Sequence, residues 1–223
     1  MDPSNQTQFQ YQLIALKDQE MLVEPIVLLM EYLNLSYTIE FCSETEWNTK
    51  YQPVTPFGRS PVLVEQDGKK IVRIKNICRY LACVWSAGEL WGKNEHENFQ
   101  IDLIVDTIDD MRQELAMYYY EPLPDSKAGL RDIVYKNFYY YINKLNNVAG
   151  AKCFLVDKLS WADIYFYGLY PLLNKMLGKD IVYSLLNRPF INIFENVHNL
   201  PSIKEYFINN QHRHSALTSA AIY

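Results

Sequence analysis

The stretch Thr55-Pro56-Phe57-Gly58-Arg59-Ser60-Pro61-Val62-Leu63 decides how this chain is read. Pro61 stands at the mouth of the apolar run Val62-Leu63-Val64. A proline fixes φ and has no N–H for a ladder, so it belongs at the first residue of a strand. A cis peptide is a common reason for a proline with a fixed structural task in such a place. Further on, Gln66-Asp67-Gly68 carries hairpin turn chemistry and joins Val62–Glu65 to a second apolar run at Ile71–Ile74.

Upstream of this corner, Tyr11–Leu16 alternates as a strand and Tyr37–Cys42 reads as a second one. Between them, Met21–Leu33 carries Leu22, Ile26, Leu29, Met30 and Leu33 at helical spacing, with Pro25 in its early turns. Asn76–Trp85 predicts a helix after the hairpin. The order βαβ, loop, ββα is that of a thioredoxin-like sheet with helices on both faces. Ser86–Glu95 is glycine-containing and polar and reads as a linker. No strand pattern follows it. Long amphipathic helices are expected over Asn98–Tyr119 and Ser126–Leu145, and Ser160-Trp161-Ala162-Asp163 opens a third. Ser160 with an acid three residues on resembles a capping box, with Asp in place of the usual Glu or Gln. Shorter helices are expected over Ile181–Val197 and Pro201–Asn209. The fold class is α/β plus all-α: a thioredoxin-like domain over 10–86, a linker over 87–94, a helical domain over 95–210 and a loose tail over 211–223.

Composition narrows the function classes. The 223 residues are 49% hydrophobic and 21% charged, which describes a globular chain and not a disordered one. The net charge is −5 and no Lys/Arg block occurs, which argues against a nucleic-acid surface. The N-terminus has no apolar signal core, and no apolar run approaches the ~18 residues of a membrane span, so a cytoplasmic protein without membrane contact is expected. Cys42, Cys78, Cys83 and Cys153 form no CxxC pair and fit a reducing compartment. The 18 tyrosines are an excess that calls for an explanation.

Glu24-Pro25-Ile26, Glu46-Trp47, Pro56-Phe57-Gly58 through Pro61, and Ile77-Cys78-Arg79-Tyr80-Leu81 are followed by Gln100 through Asp110 and by Leu159-Ser160-Trp161-Ala162-Asp163. Together these segments resemble the cytosolic glutathione S-transferases over roughly Tyr11 to His212, and within them the sigma class, which includes prostaglandin D synthase and the squid lens crystallins. Tyr120-Glu121-Pro122 is similar to arthropod members. The resemblance implies a cleft that binds glutathione and ionises its thiol, with a tyrosine near the end of the first strand donating a hydrogen bond to the sulfur. Here that position holds Ala15, counted along the strand, or Leu16, counted back from Glu24-Pro25. Neither side chain donates. The Gln-Ser pair that holds the γ-glutamyl carboxylate at a helix N-terminus is replaced by Arg73 and Ile74, and the basic residue of the first helix is replaced near Leu22.

What the resemblance leaves is a residual glutathione site. Trp47 with Lys50 or Tyr51 matches the end that holds glycine; Arg59, Ser60 and Pro61 match the corner that pairs with the tripeptide backbone; Arg73 retains a charge for a carboxylate. Asp106, Asp109 and Asp110 match an acidic cluster at the family's dimer interface, where one acid, here Asp110, reaches the neighbour's glutathione and a divalent ion can bind. Their helical spacing alone says only that a solvated or interface face is the default. Met117 and Tyr118 are expected to line the hydrophobic substrate pocket. Trp47 is equally suited to packing under its loop. His212-Arg213-His214 is expected in solvent. The expectation that follows is a homodimeric transferase-fold protein that has lost efficient glutathione conjugation and serves as a binding, scaffold or structural protein, with a protein partner or an apolar small molecule. The alternatives are an active sigma-class enzyme or prostaglandin-type isomerase that draws a donor from Tyr11, Lys17 or a pocket tyrosine, and a carrier of apolar ligands.

Overall fold

A computed structural model describes residues 10–178 and 181–210. Strand β1 (Gln10–Leu16) leads through a short 3-10 turn into helix α1 (Glu24–Tyr32) and strand β2 (Ser36–Cys42). The single turn α2 (Glu44–Glu46) opens a run of short helical turns that ends at Gly58. Strands β3 (Val62–Val64) and β4 (Lys70–Val72) and helix α3 (Ile74–Trp85) follow. The sheet order is β2-β1-β3-β4, with β1 parallel to β2 and antiparallel to β3. This is the thioredoxin-like half. The remaining elements are helices: α4 (Glu95–Tyr119), α5 (Pro124–Ala149), α6 (Trp161–Leu177), α7 (Ile181–Leu185), α8 (Arg188–His198) and α9 (Pro201–Asn209).

Several boundaries differ from those the periodicity predicts. Helix α1 begins at Glu24 because Pro25, which has no N–H to give, settles in its first turn. Ile74 belongs to α3 and not to the second hairpin strand. The span Ile181–Val197 is two helices. Asn187 caps the second of them by accepting from Phe190 N–H at 3.0 Å, and Pro189 fills its first turn. The expected tail, including His212-Arg213-His214, lies outside the described residues.

The two faces of β1 meet different cores. Tyr11, Leu13 and Ala15 pack into the main core with α1 and α3, while Ile14 joins Cys42, Trp47, Tyr51, Val62 and Val72 beneath the 44–58 loop. The main core runs on without a break into α4, α5 and α6. At this junction the backbones of α1 and α6 nearly touch: a Cβ on Gly168 would lie 2.7 Å from the Pro25 Cα. Gly168→Ala is therefore expected to cost about 1–3 kcal/mol through overpacking, read as a melting temperature lower by several degrees.

Tyrosine phenols account for many of the polar contacts. Tyr11 and Tyr80 both donate to Glu65, Tyr37 to Glu31, Tyr51 to Glu40, Tyr141 to Glu114 and Tyr165 to Asp109. Each ring packs apolar surface while its hydroxyl satisfies a carboxylate. The tyrosine excess is thus spent largely on structure.

Candidate functional site: the cleft at Pro61

The Ser60–Pro61 peptide is cis. Antiparallel pairing sets Ile14 opposite Val62, so the ends of β1 and β3 bring Leu16 alongside Ser60. Leu16 N–H donates to Ser60 Oγ at 3.3 Å, and Ser60 Oγ donates to Gln19 Oε1 at 2.7 Å. Across the same corner Arg73 N–H donates to the Pro61 carbonyl at 3.2 Å. Arg73 takes φ 71° and ψ 132°, a region costly for a residue with a Cβ. It is also the N-cap of α3 and makes no side-chain cap, and Ile74 behind it is buried. The first N–H groups of α3 are left without side-chain acceptors at the corner, which suits an anion.

The thiol-activating position has no phenol. Ala15 is sealed in the main core, and Leu16 brings only its backbone N–H. Tyr11 is buried, accepts from Trp85 Nε1 at 2.7 Å and donates to Glu65 at 3.3 Å, so it is committed at the far end of the strand. A hydroxyl from outside the strand does stand at the end of β1. Ser60 supplies one, because pairing of the strand ends turns its side chain onto the Leu16 amide. That contact is tertiary and has no local sequence signal.

Other expected residues fall in and out of this corner. Trp47 is 4% exposed and packs against Tyr51 under the loop. Lys50 Nζ bonds Tyr51 OH and lies 3.5 Å from Glu40, on the outer side of β2. Its ammonium is held above its usual range by these two partners, the Tyr51 hydroxyl first. Arg59 is exposed beside the corner. The acids of α4 do not act as one cluster. Asp102 pairs with Arg79 at 3.0 Å and Asp106 with Lys75 at 2.6 Å, joining α4 to α3. Asp109 turns inward to Arg112, Gln113 and Tyr165, and Asp110 faces solvent. Among the described residues no three His, Cys, Asp or Glu side chains gather as a metal-ligand set.

A cavity of about 200 Å³ opens between the two halves. The β1–α1 connection contributes Asp18, Gln19 and Leu22; α4 contributes Arg112, Ala116 and Tyr120; and α6 contributes Leu172 and Met176. Met117 and Tyr118, the expected pocket residues, do not line this cavity. Positions 112, 116 and 120 recur at i, i+4 and i+8 on one stripe, whereas Met117 points to solvent, 68% exposed, and Tyr118 packs edge-on against Tyr135. Gln19 lies in both the Ser60 bond and the cavity wall, so the corner and the cavity adjoin. No helix among the described residues is long and apolar enough to cross a membrane.

Residues 23–83 match the N-terminal domain of glutathione S-transferase, and residues 109–210 match its C-terminal domain. A glutathione S-transferase of Anopheles gambiae is 32% identical over 195 residues, covering 85% of this chain and 87% of the mosquito protein. The chain belongs to the glutathione S-transferase family. The hematopoietic prostaglandin D synthase of Rattus norvegicus is 30% identical over 171 residues, covering 70% of this chain and 83% of the rat protein. The structure of prostaglandin synthase D of Nilaparvata lugens superimposes with a TM-score of 0.77 at 29% identity, over 91% of this chain and 98% of that one. These relatives agree with the sigma-like character of the glutathione S-transferase segments quoted above.

Proposed function

We propose that this glutathione S-transferase family member binds glutathione through backbone groups and ionises its thiol poorly, so that it serves mainly as a ligand-binding protein. The observation that carries this is the end of β1. Ala15 and Leu16 stand where a phenol is needed, and the Ser60 hydroxyl at that place gives its proton to Gln19. The backbone corner at Ser60-Pro61 and the open α3 N-terminus still suit the tripeptide and its carboxylate. A hydrogen bond to a charged acceptor is worth ~1.5–3 kcal/mol, and its loss lowers the thiolate fraction near neutral pH roughly 10- to 100-fold.

Turnover of 1-chloro-2,4-dinitrobenzene with glutathione, measured beside the Anopheles enzyme, is expected to be lower by roughly that factor of 10–100. Equal turnover would overturn the reading. One specific observation favours a second reading, in which Ser60 replaces the tyrosine. Its hydroxyl can rotate from Gln19 to a thiolate, and Ser60→Ala would then abolish turnover that the wild type retains.

The assembly we propose is a homodimer. Phe57 is 89% exposed on a backbone with φ 56°. A groove of about 440 Å³ runs between α4 and the end of α5, with Leu103, Ile104, Val148 and Val156 in its walls. An exposed aromatic knob and an apolar groove on the same protomer fit an isologous interface, each protomer giving one of each. Cys83 and Cys153 are exposed free thiols, consistent with a reducing, cytoplasmic setting.

A further inference from the structure

We infer that the side-chain amide of Gln19 is the group that meets the sulfur of bound glutathione, and that Ser60 is the positioning residue that aims it. This rests on the reading of the corner at Pro61 as a glutathione site and adds the group that touches the thiol. Three observations carry it. First, the polar groups at the end of β1 form one chain of hydrogen bonds with a single loose end. Leu16 N–H donates to Ser60 Oγ at 3.3 Å, and the Ser60 hydroxyl passes its own proton to Gln19 Oε1 at 2.7 Å. This fixes the carboxamide: its oxygen faces Ser60, and Nε2 keeps both of its N–H donors. Among the described residues Nε2 makes no hydrogen bond.

Second, Gln19 is held in place by its own backbone. It closes the 3-10 turn Lys17–Gln19, and its carbonyl accepts from Leu22 N–H at 2.9 Å and from Val23 N–H at 3.1 Å. A donor fixed before the charge forms needs no reorganisation when the thiolate appears. Third, the other donors are committed or turned away. Tyr11 is bound to Glu65, Lys17 is exposed with its charge acting on Glu46, and Arg59 is exposed. The hydrogen bonds along Leu16, Ser60 and Gln19 polarise one another, which strengthens the last N–H as a donor. An amide is still a weaker acid than a phenol, so it ionises the thiol less than a tyrosine does. The thiol proton leaves to water.

The ultraviolet absorbance of the thiolate, followed against pH for glutathione bound to the full chain, tests this. At a pH below the thiol pKa, the wild type is expected to hold a thiolate fraction roughly 3- to 10-fold that of free glutathione. Gln19→Met is expected to return it to the value of free glutathione. Gln19→Glu still accepts from Ser60 but sets a carboxylate against the sulfur, and is expected to bring it lower still. Ser60→Ala lets the amide turn and gives up part of the gain, which Ser60→Thr retains. Binding of S-methylglutathione, read by calorimetry, is expected to be equal in the wild type and Gln19→Met, because the backbone corner holds the tripeptide. A wild type that ionises bound glutathione no more than water does, or a gain that survives in Gln19→Met, overturns the role of Gln19 while the glutathione site stands. Loss of S-methylglutathione binding in Gln19→Met also overturns it, by making Gln19 part of the tripeptide's own site. Failure of both glutathione and S-methylglutathione to bind the wild type overturns the two readings together.

Discussion

Asp163→Ala is expected to destabilise the protein by about 3 kcal/mol or more, enough to deplete the folded chain at 37 °C. Asp163 is fully buried at the start of α6 and accepts three hydrogen bonds. They come from Ser160 N–H at 2.8 Å, Ser160 Oγ at 2.7 Å and Leu155 N–H at 2.7 Å. Alanine leaves all three donors in the core without an acceptor, at about 1–3 kcal/mol for each unsatisfied group. Chemical denaturation reads the loss. A pH dependence separates the carboxylate from a neutral isostere. Burial, opposed by the three hydrogen bonds, raises the Asp163 pKa from the ordinary 3.8 to about 6. The folded state then holds the proton more tightly than the unfolded one. The stability gained from that proton is complete below pH 3.8 and is lost as pH rises through about 6. The wild type is therefore expected to gain stability relative to Asp163→Asn on acidification across this window. A flat difference would show that the group titrates with its ordinary value.

Phe57→Ser is expected to convert the proposed dimer to monomer at micromolar concentration while the fold is kept. Phe57 touches little of its own chain, being 89% exposed, so its removal costs the monomer almost nothing. In an isologous dimer two such rings are buried. At ~1.5–3 kcal/mol each, their loss weakens association by roughly 10² to 10⁴-fold. Sedimentation velocity distinguishes the two species. Leu103→Glu, in the groove that would receive the ring, should give the same result from the other side. A wild type that sediments only as a monomer, or a dimer indifferent to both changes, would refute the assembly.

How much of this was legible beforehand depended on the range of the interaction. Ser160 and Asp163 are three residues apart, and their capping role follows from spacing alone. A second capping box, Ser43 with Glu46, was equally plain in the sequence and could have placed α2. The acids of α4 show the limit. Their spacing puts them on one side of a helix, and only packing decides that Asp102 and Asp106 reach α3 while Asp109 is drawn inward to Arg112 and Tyr165. The lining of the cavity depends on packing for a related reason. Met117 and Tyr118 lie on the helix that lines it but off the stripe of Arg112, Ala116 and Tyr120, and phase relative to a neighbouring helix is a tertiary quantity.

From the order of residues alone came the proline corner, the succession of strands and helices, the helix caps and the absence of a phenol at positions 15 and 16. Each is set by contacts within a few residues or by the identity of one side chain. Only the folded chain decided that Ser60 meets the Leu16 amide and Gln19, that Arg73 bends into a positive φ over Pro61, and that Arg112 faces a cavity with Asp109 at its back. Those pairings join segments far apart along the chain, and no local preference records which side chain will be brought to which partner.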